Sequence, residues 1–246
     1  MFTLKSDRLT VCVAQPNVEN NTCRFNRAGF VTSVVLDDQY EFCGDEHGGT
    51  KGVGLCSEIT TDVNSAAVAV GEKFVKFGVG ILTKFEDSCY DAQKFYDVEP
   101  FDITAEAEAD KVVFYTEPKA LDGYAMREKK TVSVCGNVLR VEHEVENAGE
   151  KAFEYSEYNH NFLTLDLKGA RNSYNLTMEA GNAGYPYKWR LAYHPSRLTI
   201  HARDYFEPHH HNIWSPGWVI SPEVFFVKTL QPGEKAVYVR EWEFGC

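Results

Sequence analysis

The sequence predicts an all-β protein, built as a large antiparallel β-sandwich with little helix. Short alternating stretches rich in Val, Tyr, Phe and Thr recur along the chain, and Gly, Asn, Asp or Pro separate them. Apolar residues at helical spacing are scarce. The close succession of these stretches favours a sandwich or barrel over a fold in which strands and helices alternate.

The clearest predicted strand covers residues 138–146. Its residues alternate strictly, with Leu139, Val141, His143 and Val145 on one face and Arg140, Glu142, Glu144 and Glu146 on the other. The run 131–135 precedes it, and Gly136-Asn137 suits the tight turn of a hairpin. We therefore expect a hairpin with one face in the core and one in water. His143 belongs to the apolar face, so we expect it to lie in the core or to line a site.

The other predicted strands are less regular. They cover residues 8–14, 29–36, 111–116, 153–167, 197–202, 219–230 and 235–244. The stretch 103–110 also alternates, and we interpret it as a strand although its Ala and Glu residues are good helix formers. Because no repeat, low-complexity tract or Pro/Ser-rich linker divides the chain, we expect a single domain over residues 1–246.

Composition and charge limit the classes of partner. The chain is 43% hydrophobic and 25% charged, which suits a globular protein with a substantial core. It carries 25 Lys and Arg against 36 Asp and Glu, a net charge of −11. Binding a phosphate backbone or an anionic membrane requires clustered basic residues, and the sequence has no basic run. Neither nucleic acid nor a membrane is therefore expected as a partner.

Cysteine usage and the start of the chain bear on location. The seven cysteines are scattered without a CxxC pair, a pattern that suits free thiols in a reducing compartment. The first residues lack the basic and long apolar regions of a signal peptide, and no window is apolar enough for a membrane span. We expect a cytoplasmic protein, as a monomer or homodimer.

The stretch 154–167 contains the first candidate functional group. On a strand, Tyr158, His160 and Phe162 would lie on one face and Asn159 and Asn161 on the other. A histidine between two aromatic residues can be a hydrogen-bonded core residue. Equally, flanking aromatic rings can stack on the apolar face of a sugar while polar neighbours bind its hydroxyls. The alternation does not decide between the two.

A second candidate group is Glu223, in the run 218–234. This carboxylate lies among apolar residues, where it would be costly unless it were paired, and it is a candidate general base. The alternative is a surface glutamate at the start of a strand, because Pro222 before it suits a first or edge position.

Three consecutive histidines, His209, His210 and His211, raise the possibility of a metal site. Consecutive residues of an extended chain point to opposite sides, so only His209 and His211 could face one ion, with His194 or His201 as a third ligand. No carboxylate or cysteine lies beside them at zinc spacing. We interpret the segment as a polar loop and expect no metal.

Several segments together resemble the galactose mutarotase-like superfamily, and more closely a bacterial aldose 1-epimerase-like branch. They cover most of the chain in the order of the family's motifs. The segments are RFNRAGFVTSVVLDD (24–38), EFCGDE (41–46), KGVGLCSEI (51–59), KFGVGILTK (76–84), EYNHNFLTLD (157–166) and ISPEVFFVKTLQPGEKAVYVREWEF (220–244). The resemblance implies the large sandwich of this superfamily and an activity on sugars.

The resemblance also implies roles for individual residues. The family's Asn-His motif matches Asn159 and His160, so His160 would be a catalytic residue, and the late glutamate that serves as base matches Glu223. His47, in an HGG segment, and Arg27 match further residues of the family's site. Other polar residues of the resembling segments are also expected to contact the substrate. The full set of expected substrate-binding residues is Arg27, Glu46, His47, Glu58, Lys84, Tyr158 and Asn159.

The implied reaction is the interconversion of the α and β anomers of a free sugar, without a cofactor. A proton must leave the anomeric hydroxyl while another reaches the ring oxygen, which is work for one base and one acid. Two other functions stay open at this point, because a fold does not determine a function. One is non-catalytic carbohydrate binding, and the other is a different isomerase or lyase-like activity on an oligosaccharide.

Overall fold

The computed structural model describes residues 1–46, 52–61, 63, 65–164, 174–179, 185–193 and 197–246. Within these ranges the regular structure consists of strands, and all strand pairs are antiparallel. The predicted all-β sandwich is therefore confirmed. No helix in the described part of the chain is long and apolar enough to cross a membrane.

The first sheet has eight strands. They are β1 (Phe2–Lys5), β2 (Leu9–Val13), β3 (Val31–Leu36), β4 (Tyr40–Glu41), β5 (Leu55–Ile59), β13 (Phe153–Asn161), β17 (His210–Trp214) and β18 (Ser221–Leu230). The order across this sheet is β1-β2-β3-β5-β13-β18-β17, with β4 paired to β3.

The second sheet also has eight strands, and a small third sheet has three. The second consists of β9 (Ile103–Ala107), β10 (Lys111–Thr116), β11 (Met126–Cys135), β12 (Val138–Asn147), β14 (Tyr174–Glu179), β15 (Tyr187–Tyr193), β16 (Leu198–Asp204) and β19 (Lys235–Gly245), in the order β14-β15-β16-β19-β12-β11-β10-β9. The third consists of β6 (Lys73–Lys76), β7 (Gly80–Thr83) and β8 (Asp97–Pro100).

The predicted hairpin is confirmed as β11 and β12. Residues of β12 alternate between buried and partly exposed along its whole length, as the sequence pattern requires. Gly136 in the turn has a φ of +56°, a left-handed conformation that glycine adopts at little cost. The stretch 103–110 is a strand over Ile103–Ala107, paired only with β10 among the described residues.

Two expectations about local structure were wrong. The strand predicted over 153–167 ends at Asn161, because the backbone of 162–164 bonds to the 42–44 segment and to Ile220; residues 165–167 lie outside the described residues. The histidine segment is the edge strand β17 and not a loop, since His210–Trp214 pair in register with Ser221–Phe225 of β18. Sequence reasoning also missed the third sheet, whose strands are only four residues each.

Buried charges join the two large sheets. Arg240 of β19 donates to Glu157 of β13 and to Asp204 of β16, both at 2.7 Å, and its guanidinium lies over the ring of Phe206. His143 is fully buried and stacks on Tyr238 at 4.5 Å, so its expected place in the core is confirmed. Such groups are tolerated inside a protein only when they are paired or hydrogen-bonded.

Candidate active site

The candidate site lies on the face of the first sheet that points away from the second sheet. On β13, Tyr155 belongs to the core between the sheets and its hydroxyl contacts Tyr238 of β19. Side chains alternate along a strand, so Tyr158 and His160 lie on the opposite face. Glu58 of β5 is the direct cross-strand partner of Tyr158, and residues paired in this way share a face.

Glu223 of β18 lies next to His160 on this face. Its Oε1 is 2.8 Å from His160 Nδ1, an ion-pair contact without the alignment of a hydrogen bond. Ser221 donates to the same oxygen at 3.0 Å, and Asn212 of β17 donates to Oε2 at 3.4 Å. Two residues that are 63 positions apart in sequence thus meet because β13 and β18 are neighbours in the sheet.

The second ring nitrogen of His160 also has charged neighbours. Nε2 lies 3.0 Å from Glu58 Oε2 and 3.0 Å from Arg24 Nη2. A protonated Nε2 can donate to the carboxylate, and a deprotonated Nε2 can accept from the guanidinium. Each protonation state of the ring therefore has a partner in place.

Arg24 links the acidic residues of the site. Its Nε donates to Glu58 at 2.8 Å and its Nη1 to Glu46 at 3.2 Å, and Tyr158 donates its hydroxyl to Glu58 at 2.9 Å. Sequence reasoning did not single out Arg24, although the residue opens the resembling segment 24–38. We call Arg24, Glu46, Glu58, Tyr158, His160 and Glu223 the His160 cluster.

The charges of the cluster change the acidity of its members. Burial raises the pKa of the Glu58 carboxyl, but contacts with His160, Lys76 and Arg24 outweigh it and lower that pKa to about 2. Burial alone would lower the pKa of His160, yet its contacts with Glu223 and Glu58 raise that pKa above the usual value. The imidazole is thus stabilised in its charged form by two carboxylates.

Aromatic rings enclose the imidazole. The ring of Phe162 is parallel to it at 5.3 Å, the edge of Phe25 contacts it at 5.5 Å, and Tyr158 lies at 4.5 Å. His160 is only 5% exposed as a result. Charged contacts in such an apolar setting are stronger than contacts in water. The aromatic neighbours that the alternation predicted are therefore present around His160.

Three of the predicted substrate-binding residues have their polar groups engaged elsewhere. Arg27 donates to the carbonyls of Asn21 and Thr22. Lys84 donates to the carbonyls of Ser65 and Val68. Asn159 donates to the carbonyl of His160 and to the Asn161 side chain.

Most of the other predicted substrate-binding residues lie in the His160 cluster. Glu46, Glu58 and Tyr158 lie in the His160 cluster with the two predicted catalytic residues. Glu46 also accepts from the backbone of Gly52 at 2.8 Å. His47 lies outside the described residues.

Of the three consecutive histidines, the structure brings His210 to an edge of the site. His210 stacks on Phe225 at 3.9 Å, on the same face as the cluster, while Nδ1 of His211 lies 3.2 Å from the Tyr187 hydroxyl. Over the ranges that the structure describes, no group of three or more His, Cys, Asp or Glu could hold a metal ion.

Known structures share this arrangement of strands. A galactose mutarotase-like protein from Lactobacillus casei superimposes over all of both chains with a TM-score of 0.66, at 15% sequence identity. The fold is that of the galactose mutarotase-like proteins. A galactose mutarotase related enzyme from Lactobacillus acidophilus has a TM-score of 0.64 at 10% identity, covering 100% of this chain and 97% of its own.

A candidate aldose 1-epimerase from Escherichia coli is similar to the same degree, with a TM-score of 0.64 at 11% identity over 99% of this chain and 98% of its own. No family model and no curated protein matches the sequence. At these identities the comparison concerns the galactose mutarotase-like fold, which the resemblance of the motifs predicted.

Proposed function

We propose that this protein interconverts the anomers of a free aldose by acid–base catalysis, with Glu223 as the base and His160 as the acid. The observation that carries the proposal is the approach of Glu223 Oε1 to His160 Nδ1 at 2.8 Å. A base and an acid that must act on two adjacent oxygens of one sugar need to meet in one place. The sugar substrate is inferred from the mutarotase-like proteins that share this fold.

The proposed reaction needs two coupled proton transfers. Glu223 takes the proton of the anomeric hydroxyl while His160 gives a proton to the ring oxygen, so the bond between that oxygen and C1 breaks and C1 becomes an aldehyde carbon. Rotation about the neighbouring bond turns the carbonyl, and the same two transfers in reverse close the ring. Protons and electrons balance over the cycle, and no redox step is involved.

The surroundings of His160 suit both halves of this cycle. Glu58 and Glu223 favour the protonated ring before the proton is given. Arg24 can donate to Nε2 once the ring is neutral. The low pKa of Glu58, about 2, makes its carboxylate a weak proton acceptor, so we assign Glu58 the part of a fixed charge and Glu223 that of the base.

A second candidate function is non-catalytic binding of a carbohydrate. The direct contact between Glu223 and His160 favours it, because paired groups of this kind can equally bind sugar hydroxyls.

Anomer exchange measured by NMR on a panel of free aldoses distinguishes the two functions. We expect faster exchange than in buffer for at least one aldose, with a pH dependence that reports both an acid and a base. Binding of a sugar without any acceleration would replace catalysis by the second candidate. Phosphorylated sugars belong in the same panel, and the acidic balance of the chain predicts a preference for neutral ones.

A further inference from the structure

A row of side chains on β17 extends from the His160 cluster to the edge of the first sheet. Asn212 and Trp214 pair with Glu223 and Ser221 of β18, so their side chains lie on the face of the candidate site. The row continues the cluster, because Asn212 donates to Glu223 and the edge of Trp214 contacts Phe162 at 5.8 Å.

The row is more exposed than the cluster. Trp214 is 37% exposed, and Trp218 in the following turn is 39% exposed, whereas His160 is 5% exposed. The described structure has no strand on the outer side of β17. Trp214, which contacts Phe162, is thus partly open to solvent beside a buried polar site.

The turn that contains Trp218 is held against the site. Ser215 donates its hydroxyl to the carbonyl of Val219 at 2.7 Å, which closes the turn. Val219 itself is buried in the apolar cluster that contains Phe25 and Phe162, the residues that also enclose His160. The backbone of this turn is therefore anchored beside the residues that enclose His160.

We propose that this row is a second sugar subsite and that the substrate is a reducing disaccharide or a longer reducing saccharide. The ring of Trp214 would stack on the second sugar, and Asn212 and His210 would bind its hydroxyls. The inference rests on the proposed function, because it places the reducing unit of the saccharide at the His160 cluster, where anomer exchange would occur. Its anomeric hydroxyl must be free, so the second sugar is attached through another hydroxyl.

The chemistry of the row favours a sugar over a protein partner. The row alternates the aromatic rings of His210 and Trp214 with the amide of Asn212, which suits a ligand with apolar faces and many hydroxyls. Asn212, at the centre of the row, donates to Glu223, so a ligand on the row continues directly into the candidate site.

The test compares matched sugars on three variants. Exchange rates and dissociation constants are measured for glucose against maltose and for galactose against lactose, with Trp214→Ala, Trp214→Phe and the control Tyr115→Ala. Tyr115 is a partly exposed aromatic residue on β10 of the second sheet, remote from the first sheet's row. We expect Trp214→Ala to lower the disaccharide-to-monosaccharide ratio of kcat/KM by about 3- to 10-fold, with recovery in Trp214→Phe and no change in the control.

The outcomes separate the two proposals. Equal effects of Trp214→Ala on both classes of sugar, or none on either, would overturn the subsite and leave the proposed function standing. If the wild type accelerates no exchange but Trp214→Ala weakens disaccharide binding selectively, the subsite stands and catalysis falls. If the wild type neither binds nor converts any of these sugars, both proposals are wrong.

Discussion

At the level of single side chains, charged neighbours control the ionisation of His160 directly. Two carboxylates and one guanidinium lie within 3.0 Å of its ring nitrogens. The carboxylates raise its pKa, while burial and the guanidinium oppose them. The protonated ring therefore persists to higher pH than an ordinary histidine would allow.

Removing either member of the proposed catalytic pair, His160 and Glu223, should abolish most of the proposed activity. We expect His160→Ala and Glu223→Gln each to slow anomer exchange by about 10²-fold or more with the fold intact by circular dichroism. Because the two residues act as a unit, the double variant should lose less than the product of the single effects. Unchanged exchange in both single variants would show that the chemistry occurs elsewhere, and Glu58 would be the first residue to test.

A change at Glu58 should move the pH dependence without removing the acid. Glu58→Gln deletes a charge that raises the pKa of His160 and leaves Arg24, which lowers it. The limb on which activity falls with rising pH should therefore move to lower pH. The ring protons of His160, followed by NMR, report the same pKa directly. Glu241→Gln, in the second sheet, is the matched control, and an unmoved limb in Glu58→Gln would contradict the electrostatic account.

Between strands, the site depends on the order of β5, β13, β18 and β17 in the first sheet. Each contributes a polar residue to one face, where Glu58 pairs with Tyr158 and Asn212 pairs with Glu223. On the opposite face of this sheet, Arg240 of β19 joins Glu157 of β13 to Asp204 of β16. The sheet that carries the site is thus tied to the second sheet by charge as well as by apolar packing.

The buried arginine should be far more important for stability than an exposed one in the same sheet. Arg240→Met leaves Glu157 and Asp204 buried without their cation, and we expect it to lower the free energy of unfolding by about 3–5 kcal/mol. Arg203→Met, which breaks a partly exposed pair with Glu243, should cost roughly 0–1 kcal/mol. Urea denaturation of both variants provides the comparison, and similar losses would argue against the importance of burial.

For the chain as a whole, the seven cysteines provide a test of both fold and chemistry. All are free thiols in the structure, and their exposure differs. Cys89, Cys135 and Cys246 are exposed, whereas Cys56 is buried and burial raises its pKa well above the ordinary value. Native protein without reductant should therefore titrate three thiols rapidly, and unfolded protein should titrate seven. A lower total after unfolding would reveal disulfides and contradict the expectation of a reducing compartment.

The local alternation of apolar and polar residues was sufficient to predict many of the strands. The alternation at 138–146 predicted β12 and its buried face, because a half-buried strand must expose every second side chain. The same reasoning failed at β17, since an edge strand whose residues are all exposed shows no alternation of apolar and polar residues. It also missed the short strands of the third sheet, which contain too few residues for a period to be recognised.

The candidate site shows the limit of local pattern more sharply. The alternation of residues 158–162 predicted which side chains share a face, and the resemblance of the motifs pointed to His160 and Glu223. The contacts of Glu58 and Arg24 with the imidazole, from positions 102 and 136 residues earlier in the chain, became apparent only in three dimensions. Such contacts arise from the order of strands in a sheet and from the loop packed over it, and side-chain periodicity carries no information about which strands become neighbours.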